Sequence, residues 1–342
     1  MQPFLQQTYE TWRTWLADHG LPKYRAGQVW RWVFQKRATD FDQMTDLPKA
    51  LREELAQHFR LFASREVAYS TSDDGTAKLL LELSDGQRIE CVLLRDNKGN
   101  CTACVSTQVG CAMRCAFCAT GLDGVVRNLT SGEIVEQMLQ LQQHLTDEER
   151  LGNLVIMGMG EPLANLDGLL PALDTVTTDE GLAIGKRRVT ISTVGLPPGI
   201  RRLTDHGSPY HLAISLHATE DRLRDELIPA NRKYDIASVL EAADYYFEQT
   251  GRRVTYEYVL LSGVNDADED ARRLVSLLRG RTAWVNLIPY NPVPGLPYRT
   301  PSLATTARFG AILNEGGLTV RTRHRKGDRI DAACGQLRRV KS

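Results

Sequence analysis

The stretch CVSTQVGCAMRCAFCATG, residues 104–121, holds four of the seven cysteines of the 342-residue chain. Three of them, Cys111, Cys115 and Cys118, have the spacing C-x3-C-x2-C, and Phe117 directly precedes the last. A zinc site normally needs a fourth ligand, but no second CxxC or HxxxH follows downstream. A redox dithiol needs only CxxC and gives Cys111 no role. An iron–sulfur cluster with three thiolate ligands leaves one iron open to a small ligand, and a structural metal knuckle is the plainer alternative.

From residue 101 the chain alternates short apolar runs with helical stretches, which is typical of parallel strands covered by helices. Six such units predict an α/β fold, a partial (βα)6 version of the TIM barrel. The cysteine motif follows the first strand, and chemistry in such barrels gathers at the carboxyl ends of the strands. The predicted strands are TACVSTQ, NLVIMGM, RVTISTV, HLAISLH, VTYEYVLL and AWVNLIPY, and the helices include SGEIVEQMLQLQQHL, LDGLLPALDTV, DIASVLEAADYYFEQTG and DEDARRLVSLLRG.

Polar residues follow several of the predicted strands. Each of them, taken alone, is an ordinary strand-end residue, but together they predict a binding site at the barrel mouth. In the second strand the glycines let the backbone approach a ligand closely, and Glu161 can accept hydrogen bonds from an ammonium group. The strand ends read GMGEP at 158–162, STVG at 192–195, SLH at 215–217 and PYNP at 289–292.

Two regions precede the barrel and differ from it in pattern. Residues 1–62 predict a helical accessory domain, in which TDLPKALREELAQHF is capped by Thr45 or Asp46 and has Pro48 in its first turn. Residues 63–100 predict an antiparallel β extension that packs on the barrel, because turn residues bound the runs AKLLLEL and RIECVLL. Residues 101–342 predict the barrel and a C-terminal segment that carries Cys334.

The chain carries 42 Lys and Arg against 42 Asp and Glu, so no overall basic field points to nucleic acid. Basic residues nonetheless concentrate near both ends, between Lys23 and Arg37 and between Arg321 and Lys341, which allows local binding of a polyanion. No apolar run reaches the roughly 18 residues of a membrane helix, and the N-terminus lacks a secretory pattern. Clustered cysteines in such a chain predict a cytoplasmic protein with metal or thiol chemistry.

Motifs along the whole chain together resemble the RlmN/Cfr family of radical S-adenosylmethionine (SAM) rRNA methyltransferases. The cysteine spacing with its preceding aromatic is the signature of radical SAM enzymes in general, whereas the other motifs are specific to this family. One position departs from the family pattern, since Arg329 stands where an acidic residue is usual. The motifs are CVSTQVGCAMRCAFCATG, GMGEPL, ISLHA, PYNP and DAACGQL, with GLPKYRAGQVWRWVFQKR and MTDLPKALR near the N-terminus.

The resemblance implies a role for each matching residue. It implies that Cys334 carries a methyl group, that Cys104 resolves a covalent intermediate by forming a disulfide with Cys334, and that Glu90 accepts a proton. The sequence alone would make Glu90 a solvent-facing strand residue, although apolar neighbours favour a carboxylate that acts as a base. Cys91 and Cys101 are interpreted as small buried side chains. The implied ligands of one 4Fe–4S cluster are Cys111, Cys115 and Cys118, and the implied SAM contacts are Gly160, Glu161, Ser192, Ser215, Leu216, His217 and Asn291.

Chemistry supports the family's route to carbon 2 of adenine. That carbon is electron-poor, so direct transfer of the electrophilic SAM methyl group to it is unfavourable. A thiolate is a good nucleophile for that methyl group, and the basic residues before Cys334 favour its thiolate form. In the family, one SAM methylates the cysteine. A second SAM is cleaved reductively at the cluster to a 5′-deoxyadenosyl radical, which activates the S-methyl group for addition to the ring.

The family also implies the partners. Its substrates are 23S rRNA near the peptidyl-transferase centre and tRNA, at the adenosine 3′ of the anticodon, and the target base must leave its stack. Reductive cleavage implies an electron donor such as flavodoxin, and the chain is expected to act as a monomer without a membrane. In PKYRAGQVWRWVFQKR the basic residues are RNA candidates, whereas most of the aromatic residues are expected in the core.

Two other functions stay open at this point. The first is the sister activity at carbon 8 of adenosine, which uses the same cysteines and confers antibiotic resistance. The second is a non-catalytic iron–sulfur or zinc protein that binds RNA, although a binding module needs neither Cys104 nor Cys334. The carbon 2 activity is favoured because it is the housekeeping branch.

Overall fold

The computed structural model describes residues 1–96, 99–323, 327 and 330–338. Arg329 and other residues of the basic C-terminal run lie outside the described residues. The strands are β1 (Gln2–Pro3), β2 (Phe59–Arg60), β3 (Arg65–Thr71), β4 (Ala77–Glu82), β5 (Arg88–Arg95), β6 (Asn100–Cys104), β7 (Gln108–Gly110), β8 (Val125–Asn128), β9 (Arg150–Ile156), β10 (Val189–Thr193), β11 (His211–Ser215), β12 (Val254–Leu260), β13 (Ala283–Pro289) and β14 (Thr319–Thr322). The helices are α1 (Tyr9–Asp18), α2 (Arg25–Phe34), α3 (Lys49–His58), α4 (Ser131–Gln142), α5 (Leu166–Val176), α6 (Pro197–Asp205), α7 (Asp221–Leu227), α8 (Ile236–Thr250), α9 (Asp268–Leu278) and α10 (Leu303–Glu315).

One sheet of ten strands runs through the molecule in the order β14-β13-β12-β11-β10-β9-β6-β5-β4-β3. Strands β6 and β9 to β14 pair in parallel, whereas β3, β4 and β5 pair antiparallel and join the parallel part where β5 meets β6. The edge strands β3 and β14 do not pair with each other in the described part of the chain, so the barrel is open. The predicted α/β fold, a partial barrel of the TIM type, is therefore confirmed.

The parallel part of the sheet contains one strand more than predicted. Strand β14 has the sequence TVRT and is mostly exposed, so it lacks the apolar run that identified the other strands. It matters for the site because it delivers Arg323, whose backbone amide donates a hydrogen bond to the Leu287 carbonyl oxygen at 2.8 Å.

The helices that cover the sheet begin and end where the sequence provides caps. Helix α4 starts with a capping box in which Thr130 and Glu133 exchange side-chain and backbone hydrogen bonds. Helix α8 starts after Asp235, whose side chain accepts from the Ser238 amide, and ends at Gly251 with a left-handed φ of 64°. These boundaries place the strand ends, and with them the polar residues, at one edge of the sheet.

The N-terminal helices pack around a cluster of aromatic rings. The ring of Phe4 lies 5.1 Å from that of Trp12 and 5.6 Å from that of Trp30, and all three side chains are buried. Phe34 is buried as well, whereas Tyr24 is 63% exposed. The basic run therefore places part of its aromatic content in the core, which leaves Tyr24 and the cations at the surface.

The predicted cap of helix α3 is wrong. The helix begins at Lys49 with Pro48 as its N-cap residue, and no side chain caps it. The Asp46 carboxylate instead accepts a hydrogen bond from the Trp32 indole nitrogen at 2.6 Å. The partly buried indole N–H of Trp32 needs an acceptor, and the Asp46 carboxylate provides it. This hydrogen bond links the turn before α3 to helix α2.

The described residues include no helix that is both long enough and apolar enough to cross a membrane.

Candidate active site

The first cavity opens at the carboxyl ends of the parallel strands. Most of the strand-end residues that the sequence singled out contribute to its wall, together with the three cysteines of the C-x3-C-x2-C motif. The lining residues that matter below are Cys111, Met113, Cys115, Phe117, Cys118, Met157, Gly160, Glu161, Ser192, Ser215, His217, Glu257, Ile288, Arg323 and Cys334.

The three cysteines lie on the connection of a small hairpin. Strands β7 and β8 pair antiparallel, and the Cys111 amide donates to the Gly124 carbonyl oxygen at 3.0 Å. Gly110 allows this close approach, since its φ is 78° and a Cβ atom there would lie 1.9 Å from the same oxygen. The backbone of the hairpin therefore fixes where the cysteine segment begins.

The protein around the three thiols disfavours free thiolates. Burial raises the pKa of Cys111 to about 12, and it also raises the pKa values of Cys115 and Cys118. The described residues include no three His, Cys, Asp or Glu side chains grouped closely enough to hold a single metal ion. An iron–sulfur cluster has a different requirement, because each of its thiolates binds a different iron.

Glu161 is a buried carboxylate held at the end of β9. Its two carboxylate oxygens accept from the amides of Leu163 at 3.0 Å and Val194 at 2.9 Å, and its own amide donates to Gln108 Oε1 at 2.8 Å. Burial raises the pKa of Glu161 even though these hydrogen bonds oppose the shift. A cationic group bound in the first cavity would stabilise this carboxylate.

The glycines before Glu161 make room for the protein's own backbone. A Cβ atom at Gly158 would lie 2.6 Å from the Val105 carbonyl oxygen, which accepts the Gly158 amide at 3.0 Å. Gly160 has a φ of 105°, and a Cβ atom there would lie 2.7 Å from the Gln108 side chain. The prediction attributed both glycines to close approach of a ligand, but the structure shows that neighbouring protein atoms already require them.

His217 is a neutral residue at the end of β11. Its Nδ1 atom accepts from the Val259 amide at 2.9 Å, so a neutral ring carries its proton on Nε2. Burial, together with the nearby Arg224 guanidinium, lowers the pKa of His217 to about 3. The Phe117 ring meets the imidazole edge to face at 4.9 Å between centroids. His217 therefore enters the cavity wall as a fixed hydrogen-bond donor.

Arg224 is a buried cation that the sequence analysis missed. Its guanidinium donates to the carbonyl oxygens of Val194 at 2.6 Å, Ser215 at 3.1 Å and Leu216 at 3.0 Å. It also donates to Asn231 Oδ1 at 2.8 Å, and burial lowers its pKa to about 10. The residue ties the ends of β10 and β11 together and thereby positions two strand ends of the site. The stretch DRLRDEL carries no signal for this role, because it has the pattern of an exposed helix.

The second cavity adjoins the first and shares Cys334, Arg323, Met157 and Ile288 with it. Cys104 lies in its wall, and burial, followed by the nearby Cys334 sulfur, raises the pKa of Cys104 to about 12. Asn291 also lines it and donates from Nδ2 to the Cys334 carbonyl oxygen at 3.2 Å. The structure thus brings Cys104 and Cys334 to one cavity, both as free thiols.

Arg323 and Glu257 are two further wall residues that the sequence analysis did not single out. Arg323 Nη1 lies 3.5 Å from the Cys334 sulfur, within hydrogen-bond range for sulfur. Burial tends to lower the pKa of Arg323, but the Cys334 sulfur and the Glu257 carboxylate more than compensate and raise it. Burial raises the pKa of Glu257, whose Oε1 accepts from Asn286 at 2.9 Å. Glu257 is the one charged residue in the predicted strand VTYEYVLL, and this was the signal in the sequence that could have identified it.

Two predicted residues lie outside both cavity walls, as far as the described residues define them. Leu216 is buried in the core and contributes its carbonyl oxygen to Arg224. Glu90 is 5% exposed and forms an ion pair with Lys78 at 2.9 Å, and its Oε2 atom accepts from the Arg338 amide at 2.8 Å. The expectation from the sequence alone that Glu90 faces solvent is therefore wrong, because its side chain is buried. Its strand nevertheless reaches the second cavity, because Val92 lines it.

The walls fit a bound SAM molecule and an iron–sulfur cluster. Glu257 Oε2 and Asn291 Oδ1 are buried without a hydrogen-bond partner in the described part of the chain. A buried acceptor without a donor is costly, and SAM offers ammonium and hydroxyl donors. The three thiols at the same cavity supply the ligand type that iron–sulfur clusters use.

Two family models match the chain. Residues 105–275 match the model described as the radical SAM superfamily, and residues 4–61 match the ribosomal RNA large subunit methyltransferase N-terminal domain. The first match covers the cysteine motif and strands β7 to β12, and the second covers the three N-terminal helices.

Curated relatives and a solved structure match almost the whole chain. A probable dual-specificity RNA methyltransferase RlmN from Rhodopirellula baltica is 60% identical over 96% of this chain and 88% of that protein. A protein of the same name from Symbiobacterium thermophilum is 49% identical over 98% of this chain and 91% of that protein. The crystal structure of a radical SAM methyltransferase from Sphaerobacter thermophilus superposes with a TM-score of 0.93 at 43% identity and covers 99% of both chains.

Proposed function

The chain belongs to the RlmN family of radical SAM RNA methyltransferases, and we propose that it methylates carbon 2 of adenosine in two RNAs. The substrates are one adenosine of 23S rRNA and the adenosine 3′ of the anticodon in tRNA. The observation that carries this proposal is the pair of thiols, Cys104 and Cys334, in a cavity that shares Cys334 with the cavity of the three motif cysteines.

The cofactors of the proposal are one 4Fe–4S cluster and SAM, with two SAM molecules used in each turnover. Cys111, Cys115 and Cys118 are the ligands of the cluster. When bound, the cluster supplies the electron for reductive cleavage of SAM. The SAM contacts are the strand-end residues Gly160, Glu161, Ser192, Ser215, Leu216, His217 and Asn291, with Leu216 acting from behind the wall.

Cys334 is the methyl carrier in this proposal. Cys334 is exposed and lines both cavities. Its sulfur can therefore approach the methyl carbon of a bound SAM in line with the bond that breaks. Arg323 donates toward this sulfur and stabilises it as the attacking thiolate, while Asn291 holds the backbone carbonyl of the same residue. The thiolate would attack the methyl carbon of SAM, so that the bond from this carbon to Cys334 Sγ forms while its bond to the sulfonium sulfur breaks and S-adenosylhomocysteine leaves.

Cys104 releases the methylated base in this proposal. Its thiol loses a proton, and its sulfur bonds to Cys334 Sγ while the bond between Cys334 Sγ and the transferred carbon breaks. The carbon keeps the electron pair of the broken bond and takes up a proton to become the methyl group, so the two cysteines end as a disulfide. The unpaired electron that radical addition leaves on the ring would return to the cluster. Glu90 accepts the proton that leaves carbon 2 of the ring. To do so, its carboxylate must exchange the Arg338 amide for the substrate, so the C-terminal segment must shift at this step.

The remaining partners of the proposal follow from the same family. The exposed cations of the N-terminal helices, such as Lys23 and Arg31, contact RNA phosphates. A flavodoxin-type protein donates electrons, and the chain acts as a monomer in the cytoplasm, where its RNA substrates are.

Nucleoside mass spectrometry tests the function directly. Ribosomal and transfer RNA from cells that lack this gene are incubated anaerobically with cluster-loaded protein, SAM and dithionite. We expect 2-methyladenosine in both RNAs, none with Cys334→Ala, and nearly normal amounts with Cys91→Ala, the matched control for a buried cysteine.

Other outcomes of that experiment have distinct meanings. A gain of 8-methyladenosine alone would assign the protein to the carbon 8 branch. No methylated adenosine from protein with a full cluster would reject methyl transfer, and colourless protein loaded with zinc would support a non-catalytic RNA-binding module.

A further inference from the structure

A groove on the outer side of the cysteine segment lies directly behind the first cavity. Its lining includes Met113, Arg114, Leu196, Ala230, Lys233 and Tyr234, and we call it the outer groove. Met113 also lines the first cavity, and it is the one residue common to the two linings among the described residues. The groove and the cavity of the motif thiols therefore adjoin each other at this residue of the cysteine segment.

The outer groove combines an apolar floor with a basic rim. Leu196 and Ala230 belong to the floor, while Arg114 and Lys233 are exposed. Neither cation forms an ion pair with an acidic side chain in the part of the chain that the structure describes. The Lys233 ammonium lies 5.2 Å from the centre of the Tyr234 ring. The rim thus presents uncompensated positive charge beside an apolar surface.

Backbone contacts fix the two sides of the outer groove to each other. The Ala116 amide, within the cysteine segment, donates to the Leu227 carbonyl oxygen at 2.9 Å. Leu227 ends helix α7, and the chain continues from there to Lys233 and Tyr234. The backbone on the Lys233 side of the groove is therefore tied to the cysteine segment, as a specific encounter needs.

We propose that the outer groove docks a small acidic one-electron carrier protein that reduces the cluster. This inference rests on the proposed function, which requires that an electron reach the cluster from outside. One electron would pass from the reduced carrier to the oxidised cluster. No covalent bond would form or break, and no proton would be transferred. Basic rims steer acidic partners, and weak redox encounters use small interfaces, which suits a groove of this kind.

The position of the groove favours a carrier over RNA. The target base must reach Cys334, which lines the first and second cavities but not the outer groove. An electron carrier needs only proximity to the motif cysteines, and Arg114 is directly followed by Cys115. The groove therefore offers access to the cluster without occupying the path of the substrate.

Charge reversal in cluster-loaded protein tests the proposal. Lys233→Glu and Arg114→Glu are prepared singly, and iron content and the visible spectrum establish that each keeps its cluster. Stopped-flow spectroscopy then follows cluster reduction by reduced flavodoxin at low and high salt, and by dithionite. Arg279→Glu is the matched control, because Arg279 is exposed just after α9, toward the opposite end of the barrel.

We expect each rim variant to be reduced by flavodoxin about tenfold more slowly at low salt, with the difference shrinking at high salt. The rim variants should keep the wild-type rate of reduction by dithionite and the wild-type RNA affinity. The Arg279→Glu protein should be reduced by flavodoxin at the wild-type rate. Lys233 lies outside the cysteine segment, so Lys233→Glu still tests the outer groove if Arg114→Glu loses its cluster.

Two results would overturn the proposal. One is an unchanged flavodoxin rate in Lys233→Glu. The other is a loss of RNA affinity in the rim variants with an unchanged flavodoxin rate, which would assign the groove to RNA. Methyl transfer driven by dithionite keeps the two hypotheses separate. If wild-type protein methylates RNA with dithionite, the function stands whatever the groove does, and if it does not, the function itself fails.

Discussion

The two cavities that meet at Cys334 are built in different ways. Much of the wall of the first consists of strand ends whose polar groups are fixed by backbone hydrogen bonds, as Glu161 is by two amides and His217 by one. The wall of the second includes the C-terminal segment, which is held mainly by side-chain hydrogen bonds, such as those from Asn291 to the Cys334 carbonyl oxygen and from Gln336 to the Pro292 carbonyl oxygen. The first is suited to hold a cofactor in one geometry, and the second to let its thiols change partners.

This difference matches the chemistry proposed for each side. Radical generation needs fixed positions, because a misplaced reacting atom costs rate steeply. The covalent steps at Cys334 need a sulfur that meets first a methyl donor, then RNA, and finally Cys104. Variants on the two sides should therefore fail in different ways.

Replacing the resolving thiol should stop the reaction in the second cavity at its last step, the release of RNA from Cys334. In Cys104→Ala, methylation of Cys334 and addition to RNA remain possible, but no thiol can break the link to RNA. We expect turnover to stop after one event and a protein–RNA adduct to accumulate, visible as a band of reduced mobility on a denaturing gel. Cys101→Ala is the control, since Cys101 is buried on the same strand. If the Cys104→Ala protein forms no adduct with RNA, Cys104 does not have the resolving role assigned to it.

Removing the cation behind the first cavity should damage its rigid wall. Arg224→Met leaves the carbonyl oxygens of Val194, Ser215 and Leu216 without their shared donor. A buried acceptor left without its hydrogen-bond donor typically costs about 1–3 kcal/mol. Urea unfolding should show that loss, and equilibrium dialysis should show weaker SAM binding. Arg222→Met, an exposed residue on the same helix, should change neither quantity. Equal stability of the two variants would contradict the positioning role of Arg224.

Arg323, which lies in both walls, should affect methyl transfer to the protein itself. Arg323→Met removes the donor to the Cys334 sulfur, and losing a hydrogen bond to a charged group typically costs about 1.5–3 kcal/mol. We expect Cys334 to be methylated about 10- to 100-fold more slowly without RNA, measured by mass spectrometry of the Cys334 peptide. Arg321→Met, on the same strand, removes only a stacking contact with Trp284 and should react normally. An unchanged rate for Arg323→Met would separate Arg323 from this step.

The sequence predicted what depends on pattern. Continuous apolar runs identified the parallel strands, and the position of the cysteine motif after the first strand placed it at the mouth of the barrel. Strand β14 was missed because its sequence TVRT is short and polar. The cap of α3 was misassigned because Asp46 serves Trp32, a contact between helices that no local rule encodes.

The sequence could not predict residues whose role depends on burial. Arg224 lies in a stretch with a solvent-exposed pattern, and only the fold shows that its guanidinium is buried among strand-end carbonyl groups. Glu90 was expected to face solvent, but it is buried and pairs with Lys78 on the adjacent strand, where strand pairing brings distant residues together. Arg323 belongs to a basic run that suggested RNA binding, whereas its position depends on how β14 pairs with β13.

The pH dependence of stability tests whether the imidazole of His217 stays neutral in the wall of the first cavity. Burial and Arg224 keep the pKa of His217 at about 3, against 6.5 for an ordinary histidine. Between these values the unfolded chain binds a proton that the native protein does not. Stability therefore falls as the pH drops below 6.5, by about 1.4 kcal/mol at about pH 5.5.

His217→Asn should remove that dependence while keeping the local backbone. Asparagine tolerates the φ of 59° at this position, and its side-chain oxygen can accept the Val259 amide as Nδ1 does. Urea unfolding at neutral pH should give similar free energies for both proteins, whereas near pH 5.5 the variant should gain about 1.4 kcal/mol relative to wild type. Parallel pH profiles would mean that water reaches the imidazole and that the wall is less closed than its hydrogen bonds indicate. The fixed geometry of the first cavity would then have to come from bound SAM and not from the strand ends alone.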